Sequence, residues 1–89
     1  MSETSFDDLL SFPHLFIFRI VAESSTDVLD RCVAALELSF GRKVTSTEAL
    51  PSKTGRFLRL HIAMMTLNGA EIYAGYDALK GVDGIRMAL

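Results

Sequence analysis

Two segments of this chain alternate apolar and polar residues with the period of a β-strand, and each is followed by a stretch whose apolar residues return with the period of a helix. This pairing, repeated within 89 residues, constrains the fold more than any other feature. A strand with one apolar face must cover it, and an amphipathic helix arriving next along the chain is the nearest cover. The first segment, Leu15 to Ala22, is rich in aromatic and β-branched residues. Its alternation sets Phe16, Phe18 and Ile20 on one face and Ile17, Arg19 and Val21 on the other. The second, Arg56 to Met65, sets Leu58, Leu60, Ile62 and Met64 against Phe57, Arg59, His61 and Ala63.

The stretch after the first strand carries Val28, Leu29, Cys32, Val33 and Leu36 as one apolar stripe, extended by Phe40. Ser25 is the expected N-cap, Asp27 lies in the first turn, and Gly41 stands where a left-handed C-terminal cap is expected. After the second strand, Asn68 followed by Glu71 resembles a capping box, opening a helix that turns Ile72, Tyr76 and Leu79 inward. Gly75 shares that face, where the lack of a side chain lets a helix come close to a sheet. Lys43 to Leu50 is a more polar strand, expected at an edge. Pro51 to Gly55 is turn chemistry, and Gly81 with Asp83-Gly84 ends the second helix. Ile85 to Leu89 forms a last strand, whose alternation sends Arg86 outward and Met87 and Leu89 inward.

The order is strand, helix, strand, strand, helix, strand. Right-handed crossovers interleave two such units into one antiparallel sheet with both helices on one side. The expectation is therefore an α+β, ferredoxin-like βαββαβ sandwich occupying residues 14–89. Residues 1–13 form a docking segment in which Phe6, Leu9 and Leu10 recur at helical spacing up to Pro13. The chain is read as a single domain, 1–89.

Composition narrows the class. A hydrophobic content of 49% supplies a dense core, and 22% charged residues argues against disorder. A net charge of −2 argues against a strongly basic nucleic-acid binder, without excluding a local basic patch. One cysteine permits no internal disulfide and suits a reducing compartment. The start is acidic, unlike a signal peptide, and Arg19 interrupts the longest apolar stretch, so a cytoplasmic protein without a membrane span is expected.

No catalytic set assembles along the chain. Cys32 belongs to a core stripe, and His14 and His61 lack ligand-spaced partners. Asp7 with Asp8, and Asp27 with Asp30, read as solvated helix ends. The expectation is no enzyme, no cofactor and no metal. The uncovered sheet face is more informative: Arg19, Arg59 and Arg86 point away from the helices from three strands, with Phe57 and His61 beside them. Such a face suits an anionic ligand, a partner protein or a second copy of the chain; the alternative is a solvated face whose arginines keep the sheet in solution. In the hairpin, Ser52, Lys53, Gly55 and Arg56 have the chemistry of an anion-binding nest as well as that of a plain turn. RNA-recognition motifs share this topology but stack bases on two or three exposed aromatics; here Phe57 alone qualifies, so nucleic-acid binding stands as the alternative.

Asp8-Leu9-Leu10-Ser11-Phe12-Pro13, Pro51-Ser52…Gly55, Tyr76…Leu79 and Val82-Asp83…Ile85-Arg86-Met87-Ala88-Leu89 together resemble the YbeD family of small bacterial proteins of unknown function. The resemblance spans nearly the whole chain. It implies a ferredoxin-like fold similar to the ACT regulatory domains that sense amino acids, and a regulatory role linked to lipoate. ACT domains carry a glycine in the loop after the first strand, where this chain has Ala22-Glu23-Ser24-Ser25. The expectation is a non-enzymatic regulatory or ligand-binding module that self-associates through its open face or docks a protein partner or small anion there.

Overall fold

The computed structural model describes residues 10–88. Strand β1 (His14–Glu23) leads to helix α1 (Val28–Phe40), strands β2 (Ser46–Pro51) and β3 (Phe57–Thr66), helix α2 (Gly69–Lys80) and strand β4 (Ile85–Ala88). The sheet order is β2-β3-β1-β4, and every neighbouring pair is antiparallel. This is the ferredoxin-like arrangement. The two strongly alternating segments lie at its centre, paired from His14 opposite Thr66 to Glu23 opposite Phe57. The polar strand β2 is an edge.

The core forms where the apolar faces meet. Phe18, Ile20 and Ala22 of β1 and Leu60, Ile62 and Met64 of β3 are buried with Val28, Cys32 and Leu36 of α1 and Ile72 and Leu79 of α2. Both helices therefore cover one face. Phe18 is fully buried, with Tyr76 and Phe40 edge-on to its ring at centroid distances of 5.1 and 6.3 Å. Gly75 makes this possible: a Cβ there would stand 2.5 Å from the Phe18 Cζ and 2.7 Å from its Cε1. Cys32 is a packing thiol, and burial pushes its pKa up to about 11.

Helix ends follow the sequence in part. Gly41 caps α1 at φ 69°, donating its N–H to Glu37, and the Asn68 side chain accepts the N–H of Glu71 at 3.0 Å. The expected Ser25 cap is not formed. Helix α1 starts three residues later, and Ser25 Oγ instead donates to Asp27 Oδ1 at 3.2 Å. Strand β2 likewise starts at Ser46 rather than Lys43: Val44 is held by α1, its N–H donating to Glu37 Oε2 at 2.9 Å, and bonding to β3 begins with the Thr45 N–H, which donates to the Ala63 carbonyl at 2.8 Å. The predicted helical turn at the N-terminus falls largely outside the described residues; within them, Leu10 and Phe12 pack against the core without helix.

Arg42 joins the layers. Its guanidinium donates to both carboxylate oxygens of Glu71, at 2.7 and 3.1 Å, and to the Met65 carbonyl at 2.9 Å, while lying 5.3 Å from the Phe40 ring centre. Glu71 also accepts the Leu67 N–H at 2.7 Å. The Arg42 guanidinium holds the Glu71 carboxyl below its ordinary value. Between its folded value and the unfolded value of about 4.3, the unfolded chain binds more protons, so stability rises with pH. The contribution is full above the unfolded value and is lost as pH falls through the folded one. Glu71→Gln is expected to cost about 1 kcal/mol at neutral pH, allowing for partial solvent screening. Urea midpoints should also fall less on acidification, from about pH 6 to about pH 3, in that variant than in the wild type.

Strand β4 departs from simple alternation. Ala22 faces Ile85 and Val21 faces Met87, so Arg86 is an extra residue in a bulge. Met87 is consequently turned to the open face at 53% exposure, not inward as alternation alone predicts, and Ala88 takes the inward position.

Candidate functional site

The open face is organised in rows set by strand register. One row carries Glu48, His61 and Arg19; the next carries Leu50, Arg59, Val21 and Met87; a third carries Phe57 and Glu23. Each residue except Met87 is brought there by the period-two alternation of its strand; Met87 is turned there by the β4 bulge. Arg86 reaches the same face through the β4 bulge, the kind of irregularity that re-aims a side chain.

At the Phe57 end of the face lies a cleft of about 360 Å³ lined by Glu23, Ser24, Arg56, Phe57 and Arg86. The guanidinium carbons of Arg56 and Arg86 sit 5.7 and 5.9 Å from the centre of the Phe57 ring, within cation–π range. Arg86 also faces Glu23, Nη1 to Oε2 at 3.5 Å. Backbone bonds fix the walls: the Glu23 N–H donates to Gly84 at 2.8 Å and the Ser24 N–H to Arg56 at 3.1 Å. The Ser24 hydroxyl donates to the Gly55 carbonyl at 2.7 Å.

The sequence places Arg56 in the hairpin and Phe57 and Arg86 on the sheet; the structure brings all three to one cleft. The other hairpin candidates serve the turn. Ser52 closes it by exchanging bonds with Phe57 and accepting the Gly55 N–H at 3.0 Å, and Gly55 supplies the positive φ of 76°. Lys53 is exposed and outside the cleft lining. Glu23 and Ser24 are cleft residues that the sequence reading did not single out. Glu23 was legible, because extending the alternation of Arg19 and Val21 by one step places it on the same face. Ser24 lies past the strand, where no periodicity applies.

Farther along the face, Arg19, Val21, Arg59 and His61 border a second depression of about 280 Å³, with Ile20 at its wall. His61 Nδ1 lies 3.1 Å from Glu48 Oε1. Arg19 and Arg59 form no ion pair with any described residue. The face and hairpin together hold five cations, Arg19, Lys53, Arg56, Arg59 and Arg86, against the carboxylates of Glu23 and Glu48, although the whole chain carries a net charge of −2. Charge is thus uneven: five of the nine lysines and arginines lie here, and nine of the eleven carboxylates lie elsewhere in the chain.

Among the described residues, no helix is long and apolar enough to cross a membrane. Residues 7–89 match the family model described as "Protein of unknown function (DUF493)". The chain is similar to a UPF0250 protein of Shewanella piezotolerans, at 31% identity over the full length of both chains, and to one of Shewanella amazonensis at 29%, again over both full lengths. Its fold is similar to the solution structure of protein HP0495 from H. pylori, with a TM-score of 0.75 and 16% identity, covering 100% of this chain and 98% of the other. The full-length match places the chain in the DUF493, or UPF0250, family of small bacterial proteins, the YbeD-like group that its sequence resembles.

Proposed function

We propose that this protein is a non-enzymatic binding module of regulatory type, which holds a small anionic ligand in the cleft between Arg56, Phe57 and Arg86. The observation that carries this reading is the pair of guanidinium groups set against one aromatic ring. Two planar cations with fixed donor forks suit a carboxylate or phosphate, and the ring holds both forks in place. The remaining cleft groups are committed: the Glu23 carboxylate to Arg86 and the Ser24 hydroxyl to the Gly55 carbonyl. That set binds charge and offers no activated nucleophile. The basic charge of the face favours an anion over a second copy, since two such faces would bring like charges together. Lipoate, which the family resemblance points to, serves as a probe of the cleft alone, since it carries a single carboxylate on an apolar chain. The free buried thiol of Cys32 fits a reducing, cytoplasmic setting.

Thermal unfolding with phosphate, acetate and lipoate tests this reading. A ligand at roughly ten times its Kd stabilises by about 1.4 kcal/mol, which raises Tm by about 6–11 °C in a domain of this size. The rise should occur with at least one of these anions and be lost in the Arg56→Ala/Arg86→Ala variant. An equal rise in that variant, or none with any of the anions, overturns the cleft as the site. Poly(U) RNA stabilising the protein where small anions do not would transfer the face to nucleic acid.

A further inference from the structure

Resting on that cleft as an anion site, we infer that the ligand carries two anionic groups joined by an apolar spacer, the second group being held between Arg19 and Arg59. Arg59 stands opposite Val21 and Arg19 opposite His61, so the two arginines are diagonal neighbours on adjacent central strands. Diagonal positions are about 7–8 Å apart at the backbone, close enough for two long side chains to reach one anion. They border the same depression of about 280 Å³.

The carboxylates of this face are already engaged. Glu48 pairs with His61 and Glu23 with Arg86, which leaves Arg19 and Arg59 as adjacent like charges with no described carboxylate between them. An anion placed there relieves their repulsion and gains charge-assisted hydrogen bonds from both. The centre of this pair lies about three residues along β3 from Phe57, or roughly 10 Å at ~3.3 Å per residue. What lies between is apolar: Val21 borders the second depression, its cross-strand partner Met87 is exposed beside it, and Phe57 borders the first. A dianion whose ends are about 10 Å apart and whose middle is hydrocarbon matches cations, floor and spacing together. Either carboxylates or phosphate-type groups satisfy the arginines.

Calorimetric titration of the full-length protein separates the possibilities. Suberate has two carboxylates that span this distance, octanoate has the same chain with one, succinate has two that do not span it, and octane-bisphosphonate replaces the carboxylates with phosphate-type ends. Suberate or the bisphosphonate should bind about tenfold or more tightly than octanoate and succinate, because the second contact is intramolecular. The preferred head group of that pair identifies the ligand's ends. Arg19→Ala and Arg59→Ala should lower affinity for the dianion to the octanoate level and leave octanoate binding unchanged, with amide NMR spectra confirming that both variants fold. Octanoate binding as tightly as both long dianions overturns the second subsite while leaving the cleft standing. Failure of all four to bind overturns both. Loss of octanoate binding in the Arg19 and Arg59 variants moves the single anion site away from the cleft and also overturns the inference.

Discussion

Phe18→Ala is expected to destabilise the protein by about 3–5 kcal/mol, the usual cost of emptying a large buried aromatic site. Phe18 is fully buried at the centre of β1 and meets the rings of Phe16, Tyr76 and Phe40 at centroid distances of 4.9, 5.1 and 6.3 Å. It therefore joins the sheet to both helices, and no single neighbour can fill the space it leaves. Small domains hold a net stability of about 5–15 kcal/mol, so this substitution removes a large share of it. Phe18→Leu keeps the inner part of the volume and should cost about 1–2 kcal/mol. Chemical denaturation of both variants checks the difference; equal small losses would show that Phe18 is not the centre of the core.

Gly75→Ala should destabilise by about 2 kcal/mol, against the ~1 kcal/mol gain that helix propensity alone gives to alanine in place of glycine. The added Cβ would meet Phe18 Cζ at 2.5 Å and Cε1 at 2.7 Å, and Phe40 Cζ at 3.3 Å. Phe18 is fully buried among the rings of Phe16, Phe40 and Tyr76, so its ring can yield only by displacing them. Leucine lacks the two colliding ring atoms, so combining Gly75→Ala with Phe18→Leu should cost less than the separate losses imply, by at least about 1 kcal/mol of coupling. Strict additivity in this double-mutant cycle would mean that Gly75 does not set the distance of α2 from the sheet. A stabilised Gly75→Ala protein would mean the same.

Most of the architecture was legible because it rests on periodicity. The alternation of Phe16, Phe18 and Ile20 and of Leu58, Leu60 and Ile62, with the stripe from Val28 to Leu36, was enough to place the central strands and their cover. Gly75 could be read for the same reason, since its position on the inner face of α2 follows from Ile72, Tyr76 and Leu79. Local signals that compete with tertiary bonds were less legible. Ser25 has the chemistry of a cap, but its hydroxyl is taken by Asp27, and α1 begins later. Val44 has the composition of a strand, but its N–H is taken by Glu37.

The site depends on the least legible feature of all. Alternation placed Arg86 outward correctly, yet it also placed Met87 inward, because no residue in Ile85-Arg86-Met87 announces a bulge. The bulge lets Arg86 reach Glu23 and the Phe57 ring while Met87 turns to the open face. The grouping of Arg56 with Phe57 and Arg86 is a product of register and hairpin closure, which single residues do not encode. The charge polarity of the face, in contrast, could be summed from the strand assignments alone.

On the proposed function, the basic face, and in particular the Arg56, Phe57 and Arg86 cleft, is where this protein meets its ligand. Titrating phosphate and suberate into the uniformly 15N-labelled protein, followed by backbone amide and arginine side-chain resonances, tests it most directly. Saturable shifts are expected at Glu23, Ser24, Arg56, Phe57 and Arg86, extending to Arg19 and Arg59 with suberate, while α1 and α2 stay unmoved. Saturable shifts confined to the helices and absent from the cleft would contradict the account.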